Sequence, residues 1–333
     1  MKTAAVLSFS AKGAETARRV AAALEDEYEI SLYAPRGNLT PLTAELFAER
    51  DALIFVGACG IAVRAIAPCV AAKTTDPAVM VLDELGLHVI SLLSGHIGGA
   101  NALCWKLAAA LESEAVITTA TDVNKRFSVD AWASRQGLGI SSMDLAKLFS
   151  ASILKRDLPM YTDLPIEGDL PSGVYFAAEG ALGAAVTWRR AEPFRRTLYL
   201  VPPVLHVGIG CKRDTPEERI AAAVDAVFRE HGLLSAAVAE LASIDVKCDE
   251  AGLLSYAAST HRPIRFFSAE ELRAAPGEFT ASAFVAGTVG VDNVCERAAV
   301  LSAGEGAELI VRKTSQNGVT VAVALGNRRI TFE

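Results

Sequence analysis

From Ala4 to Thr119, apolar runs of strand length alternate with longer stretches of helical periodicity. That alternation restricts the chain to a layered α/β architecture more than any other feature. Ala4–Phe9, Tyr28–Tyr33, Ala52–Val56, Ala78–Leu82, Leu87–Leu92 and Ala115–Thr119 read as strands. Between them, Gly13–Leu24 places Ala17, Val20, Ala21 and Leu24 at helical spacing, Pro41–Ala48 follows Thr40 as a potential N-cap, and Ile61–Ala67 and Ala100–Leu111 complete the helices.

From about Phe127 the pattern loosens. Asp130–Arg135 and Ser142–Ile153 look helical, and the proline-rich stretch Pro159–Pro203 carries only short β-type runs at Gly173–Ala177 and Ala184–Trp188. The paired prolines within Leu198–Leu205 resist both helix and central strand and mark a boundary. Regular alternation then resumes. Strands are expected at Leu205–Gly210, Ser243–Val246, Ile264–Phe267, Glu308–Lys313 and Val319–Ala324. Helices are expected at Pro216–His231 (with Thr215 as cap), Asp249–Ser259, Ala269–Arg273 and Val291–Ser302. The expectation is α/β: two α/β units with largely parallel or mixed sheets, 1–126 and 204–333, joined by a smaller mixed middle segment, 127–203.

Charge and composition narrow the function classes. A net charge of -7 leaves no basic excess for broad phosphate neutralisation, so no nucleic-acid partner is expected. The 6 cysteines show no zinc-knuckle spacing and are too sparse for a disulfide scaffold, which fits a reducing cytoplasm and predicts no metal site. The stretch Leu85–Trp105 lacks Lys, Arg, Asp and Glu and is long enough to span a bilayer. Its His88, His96, Asn101 and four glycines favour a buried strand, a glycine turn and a helix start, and no membrane association is expected. The first residues, with charge following Phe9 at once, lack a signal-peptide layout.

The same uncharged stretch holds the leading candidate site. Ser94-Gly-His-Ile-Gly-Gly-Ala-Asn101 follows an expected strand and opens an expected helix, where α/β sheets bind ligands and free N–H groups favour an anion. Gly57-Ala-Cys-Gly-Ile-Ala-Val-Arg64 is a second strand-to-helix turn; it lacks the spacing of a dinucleotide loop, and Arg64 can meet a carboxylate or simply be a solvated helix charge. Lys73–Asp76 and Thr118-Thr-Ala-Thr-Asp122 end in hydroxyls and a carboxylate; Asp122 can equally be a helix cap. In the last unit Gly208-Ile-Gly-Cys-Lys-Arg-Asp214, the turn at Gly287–Glu296 and Lys313 form further polar mouths, with Cys211 read chiefly as a small buried residue.

Together these blocks resemble the cobalt-precorrin-5A hydrolases (CbiG-type proteins) of anaerobic cobalamin biosynthesis. The resemblance rests on Gly57–Pro68, Thr75–Val79, Leu93–Asn101 and Ile117–Asp122 in that order, and on Val207–Arg213, Ser243–Glu250, Arg265–Leu272, Val289–Glu296 and Lys313 before Val319–Ala324. It covers nearly the whole chain, least distinctly in the middle segment. Cys59 stands where many relatives carry threonine, and Ile97 where leucine is more usual.

The resemblance implies an enzyme that opens the δ-lactone of a ring-contracted cobalt corrinoid and releases acetaldehyde, giving cobalt-precorrin-5B. It implies no cofactor beyond the cobalt carried by the substrate, and transient contacts with other corrin-pathway enzymes. His96 is the first choice for general base or acid, since an unperturbed imidazole titrates at roughly 6.5. Asp122 is the alternative base and Glu296 a further acid. Gly57, Gly60, Arg64, Gly95, Gly98, Gly99, Asn101, Thr118, Thr119, Gly208, Gly210 and Lys313 are the expected substrate contacts. Two competing readings are a non-catalytic corrinoid carrier and a methyltransferase using S-adenosylmethionine; the absence of an acidic ribose partner behind a glycine loop counts against the second.

Overall fold

A computed structural model describes residues 1–72, 74–282, 287 and 290–332. Lys73 of the Lys73–Asp76 block, and Thr288 and Val289 of the Gly287 turn, lie outside the described residues. The chain divides into two compact units: Met1–Ser134 with Ile153–Lys155, and Arg135–Ser152 with Arg156–Glu333.

The first unit contains β1 (Lys2–Ser8), α1 (Ala11–Leu24), β2 (Tyr28–Tyr33), α2 (Thr40–Glu49), β3 (Ala52–Val56), α3 (Cys59–Ile66), β4 (Ala78–Leu82), β5 (His88–Leu93), α4 (Ala100–Leu111), β6 (Glu114–Val116), α5 (Ala120–Val123) and α6 (Val129–Arg135). Its sheet runs β2-β1-β3-β4-β5-β6. Because side chains alternate across a strand, β1 sends Ala4 and Val6 to one core with α1 and α4, and Ala5 and Leu7 to the other with α2 and α3. Every residue of β3 and β4 is buried, which explains their unbroken apolar runs.

One reversal in this sheet decides where the chemistry sits. β1, β2, β3 and β4 are mutually parallel, whereas β5 pairs antiparallel with β4 and parallel with β6. Asp83 makes the reversal by accepting the amides of Leu85 (3.0 Å) and His88 (2.7 Å). The carboxyl ends of β5 and β6 therefore open at the sheet edge opposite to the carboxyl ends of β1 and β3. The uncharged stretch is β5, a loop and α4, and among the described residues no helix is long and apolar enough to cross a membrane.

The second unit holds two larger sheets. β7 (Gly139–Ile140), α7 (Met143–Ile153), β8 (Leu158–Thr162), β9 (Ile166–Glu167), β10 (Val174–Phe176), β11 (Gly183–Val186) and β12 (Thr197–Val201) come first. They supply a sheet ordered β10-β8-β11-β12-β7, so the stretch expected as a connector is itself sheet structure. Its strands have five residues or fewer, too short to register as periodicity, and Pro202 and Pro203 end β12 rather than replace a strand.

Then follow β13 (Leu205–Cys211), α8 (Glu217–Glu230), β14 (Val238–Ile244), α9 (Ala251–Ser259), β15 (Ile264–Phe267), α10 (Ala269–Ala274), α11 (Cys295–Ala303), β16 (Glu308–Gln316), β17 (Val319–Leu325) and β18 (Ile330–Thr331). The second large sheet runs β15-β14-β13-β17-β16, and β18 pairs with β9.

Several boundaries differ from expectation for local reasons. Thr40 is the first residue of α2, with Leu39 at the cap position. Thr215 bonds the Lys212 carbonyl (2.7 Å) and leaves Pro216 to cap α8. α11 starts only at Cys295, because the Asn293 side chain accepts the Glu296 amide (2.9 Å) there.

Gly208 and Gly210 lie inside β13, within the strand expected at Leu205–Gly210, and both are packed closely against neighbouring segments. A Cβ on Gly208 would run into the Cys295 carbonyl of α11, and one on Gly210 would stand 2.5 Å from Thr320 Oγ1. Gly208 is therefore what lets α11 lie against the sheet. Gly208→Ala is expected to lower stability by about 3 kcal/mol through overpacking. The check is a reduced urea midpoint at unchanged denaturant slope.

Candidate active site

Strand β5 ends at Leu93 and the chain turns sharply. Ser94 adopts φ 56, in the left-handed region, and is 9% exposed. Its carbonyl accepts the Ala100 amide (3.2 Å) and that of Gly95 accepts the Asn101 amide (2.9 Å), so the loop folds back on the start of α4. The glycines make this tight fold possible. A Cβ on Gly95 would sit 2.6 Å from Asn101 Oδ1, and one on Gly98 would collide with Ser94 Cβ and approach the Asp76 carbonyl at 3.3 Å. Gly99, at φ 85, is the helix cap, and its N–H is taken by the His96 carbonyl (3.0 Å).

This loop delivers His96 between two carboxylates. His96 Nε2 stands 2.9 Å from Asp122 Oδ2 on α5, and Nδ1 stands 3.2 Å from Asp130 Oδ1 on α6. Thr121 Oγ1 is 3.3 Å from Nε2. Asp122 Oδ2 also accepts Thr119 Oγ1 (2.6 Å) and Asn101 Nδ2 (3.1 Å). Asn101 is oriented in turn by Ser91 Oγ on its Oδ1 (2.7 Å) and by its own bond to Thr119 (2.8 Å). All these bonds go to one oxygen of Asp122. Its Oδ1 has no hydrogen-bond partner among the described residues, and the side chain is 27% exposed.

Charge follows this geometry. Burial alone would lower the His96 pKa, but hydrogen bonds and charges from Asp122 and Asp130 outweigh it and raise the value to about 9. The imidazole is thus an imidazolium at neutral pH, so of its two expected roles, general base or acid, the base role does not fit this charge state. The hydrogen bond from His96, above all, holds Asp122 below the usual carboxylate range. Burial would raise Asp130, yet its bonds with His96, Ser128 and the Ala131 amide bring it down to about 2.

Other expected contacts lie elsewhere. Gly57 follows β3 and donates its N–H to the Leu82 carbonyl (2.7 Å), at the sheet edge opposite His96. Gly60 lies in α3, and Arg64 folds back on the Gly60 carbonyl (3.3 Å). These three do not join His96, because the β4–β5 reversal sends the two strand-to-helix turns to opposite ends of the sheet. Thr119 is part of the site, whereas Thr118 is exposed beside it.

Glu296 is fully buried, and its oxygens accept Thr280 N (2.7 Å), Thr280 Oγ1 (2.8 Å) and Lys313 N (2.6 Å). It is an internal tie between α11, the Thr280 segment and β16, not an acid at a mouth, and Lys313 contributes its backbone to that tie. Glu296→Gln is expected to cost about 2 kcal/mol of stability, since an amide NH2 would face a donor, and to leave the pH profile of activity unchanged. Thermal melting and a pH–rate series check both parts. Burial pushes the Cys211 thiol up, consistent with a packed residue and not a nucleophile.

Asp130 was absent from the expected site. Its only sequence cue is Ser128-x-Asp130 at a helix start, and nothing in spacing links it to His96. In the second unit, Glu250 (2% exposed) pairs with Lys247 Nζ (3.0 Å), beyond the carboxyl end of β14. That pair too has no signal in hydrophobic pattern.

Comparison with known proteins identifies the family. The family described as "Cobalamin synthesis G N-terminal" matches residues 41–122, and "Cobalamin synthesis G C-terminus" matches residues 205–324. The chain is 36% identical over 306 residues to the cobalt-precorrin-5A hydrolase of Salmonella typhimurium, covering 87% of this chain and 86% of that protein. It is 33% identical over 320 residues to the cobalt-precorrin-5A hydrolase of Priestia megaterium, covering 90% and 85%. Protein CobE of a Sinorhizobium species is 31% identical over 121 residues, covering 36% of this chain and 79% of CobE. On the identity to the two hydrolases across most of each chain, the chain belongs to the cobalt-precorrin-5A hydrolase family.

Proposed function

We propose that the protein hydrolyses cobalt-precorrin-5A, opening its δ-lactone and releasing acetaldehyde, with the chemistry at the Asp122–His96 pair. The observation that carries this placement is the open Oδ1 of an ionised Asp122 whose other oxygen is held by three donors. A carboxylate fixed in this way can orient a water and accept its proton.

The steps balance as follows. Water attacks the lactone carbonyl carbon while Asp122 Oδ1 takes its proton. The developing oxyanion is met by the amides of Gly95 and Gly98, which make no hydrogen bond within the loop, and by the imidazolium field of His96. Collapse breaks the acyl C–O bond, and the proton on Asp122 passes to the departing oxygen, leaving a carboxylic acid, which ionises to solvent, and a hydroxyl on the two-carbon branch. Asp122 then takes the hydroxyl proton as the C–C bond breaks. Acetaldehyde leaves, and the electron pair stays on the macrocycle, which receives the proton. Cobalt enters as part of the substrate, and no step draws on a further cofactor. A cytoplasmic location and transient contact with neighbouring corrinoid enzymes accompany this reading.

The test is incubation of purified protein with the cobalt-containing lactone intermediate. Stoichiometric acetaldehyde with conversion to the ring-opened corrinoid is expected. Tight binding of the intermediate without acetaldehyde would assign the chain a carrier role instead.

A further inference from the structure

We propose that Asp130 is a positioning residue for this reaction: its buried carboxylate locks the His96 ring and keeps it cationic, so that Asp122 stays ionised with Oδ1 free. The argument rests on the reading of His96 and Asp122 given above, but its first readout does not.

Asp130 is 5% exposed on α6 and faces His96 Nδ1 at 3.2 Å. Ser128 Oγ (2.9 Å) and the Ala131 amide (3.1 Å) donate to the same Oδ1. The carboxylate is thus fixed before His96 meets it, and it touches the ring on the side away from Asp122. With Nε2 hydrogen-bonded to Asp122 and Nδ1 in ion-pair contact with Asp130, the imidazole is held from both sides. A neutral ring would carry a lone pair on one nitrogen and so face one of the two carboxylates without a proton between them. Removing one buried partner of such a pair is costly because the remaining charge is uncompensated. The titratable groups facing His96 are Asp122 from α5 and Asp130 from α6, and both favour the cation.

Two carboxylates on one imidazole also divide the work. Asp122 is 27% exposed on its side chain and Asp130 only 7%. The exposed one can reach substrate, and the buried one cannot. Asp130 therefore acts through His96. Its segment, Ser128–Asp130, lies beyond the N-terminal family match at 41–122, in the stretch whose hydrophobic pattern loosens.

The test is Asp130→Asn, which keeps size and the ability to accept from Ser128 and Ala131. In the substrate-free protein, NMR titration of His96 should show its pKa falling by at least ten-fold in proton affinity from about 9. The basic limb of kcat for acetaldehyde release should move down with it, with KM changed less than three-fold and near-wild-type rates on the acidic side. Asp130→Glu should restore part of the basic limb. If Asp130→Asn does not fold, Ser128→Ala should give a smaller shift in the same direction. An unmoved His96 titration overturns the proposal. So does a rate loss uniform across pH, which would mark a purely structural role. A shifted titration in a protein that releases no acetaldehyde would instead refute the assigned reaction and leave the role of Asp130 toward His96 standing.

Discussion

Asp122→Asn is expected to lower kcat for acetaldehyde release by about 10²–10⁴-fold, the usual contribution of a positioned general base. The substitution preserves shape and can still accept from Thr119 and Asn101 through one oxygen. What it removes is the negative charge and the basic Oδ1. KM should stay within a few-fold, because the substrate's carboxylate periphery gains nothing from an anion at this position. The effect should also be visible without substrate. His96 would lose one of its two carboxylates, and its pKa would fall from about 9. A variant that kept wild-type kcat would remove Asp122 from the mechanism and return the search to other groups.

His96→Gln should produce the second large loss, about 10²–10³-fold in kcat, by leaving two carboxylates with no cation between them. The pH dependence of the wild-type protein gives this a sign. His96 has a folded value raised to about 9, above its ordinary 6.5. Its contribution to stability is complete below the ordinary value and is lost as pH rises through about 9. Asp130 is depressed to about 2, so its contribution is present above the ordinary carboxylate range and is lost as pH falls toward 2. These are two views of one interaction and do not add. The wild-type melting temperature should hold between about pH 4 and 6.5, fall progressively from there to about pH 9 by an amount corresponding to roughly 2–3 kcal/mol, and level off beyond. In His96→Gln that alkaline drop should be absent, and the protein should be less stable at neutral pH. Circular dichroism melts across pH read both. An alkaline drop of equal size in wild type and variant would mean that His96 is not its source.

Much of this site was legible before any coordinates. The Ser94–Asn101 glycine block between a strand and a helix, and the Thr118–Asp122 hydroxyl-carboxylate block, both mark chain turns where backbone must approach closely. Gly95 and Gly98 prove to be small because Asn101 and Ser94 occupy the space a Cβ would need. His96 and Asp122 stand out because they are polar groups in those turns. The helix and strand order of the first unit follows from apolar spacing, since its central strands β3 and β4 are buried throughout and its helices on one face.

Other features had no local signature. Gly208 and Gly210 end an expected strand, but that Gly208 admits α11 against β13 and Gly210 makes room for Thr320 of β17 depends on segments far apart in sequence. Glu296 looked like an acid, yet it ties α11 to β16 and the Thr280 segment. The strands between Leu158 and Val201 are too short to show a period.

The amino-acid sequence by itself determined the α/β layering, the family and two members, His96 and Asp122, of the Asp122–His96–Asp130 cluster. Those depend on local spacing and on residue types at turns. Only the tertiary structure decided that β5 reverses against β4, which puts Gly57, Gly60 and Arg64 at the far edge of the sheet from His96. It alone decided that Asp130 closes on His96 from the other side. The physical reason is that strand direction and the convergence of distant carboxylates are set by packing and hydrogen bonding across the fold. A histidine's charge depends on those partners, so sequence could name His96 but not fix its protonation state.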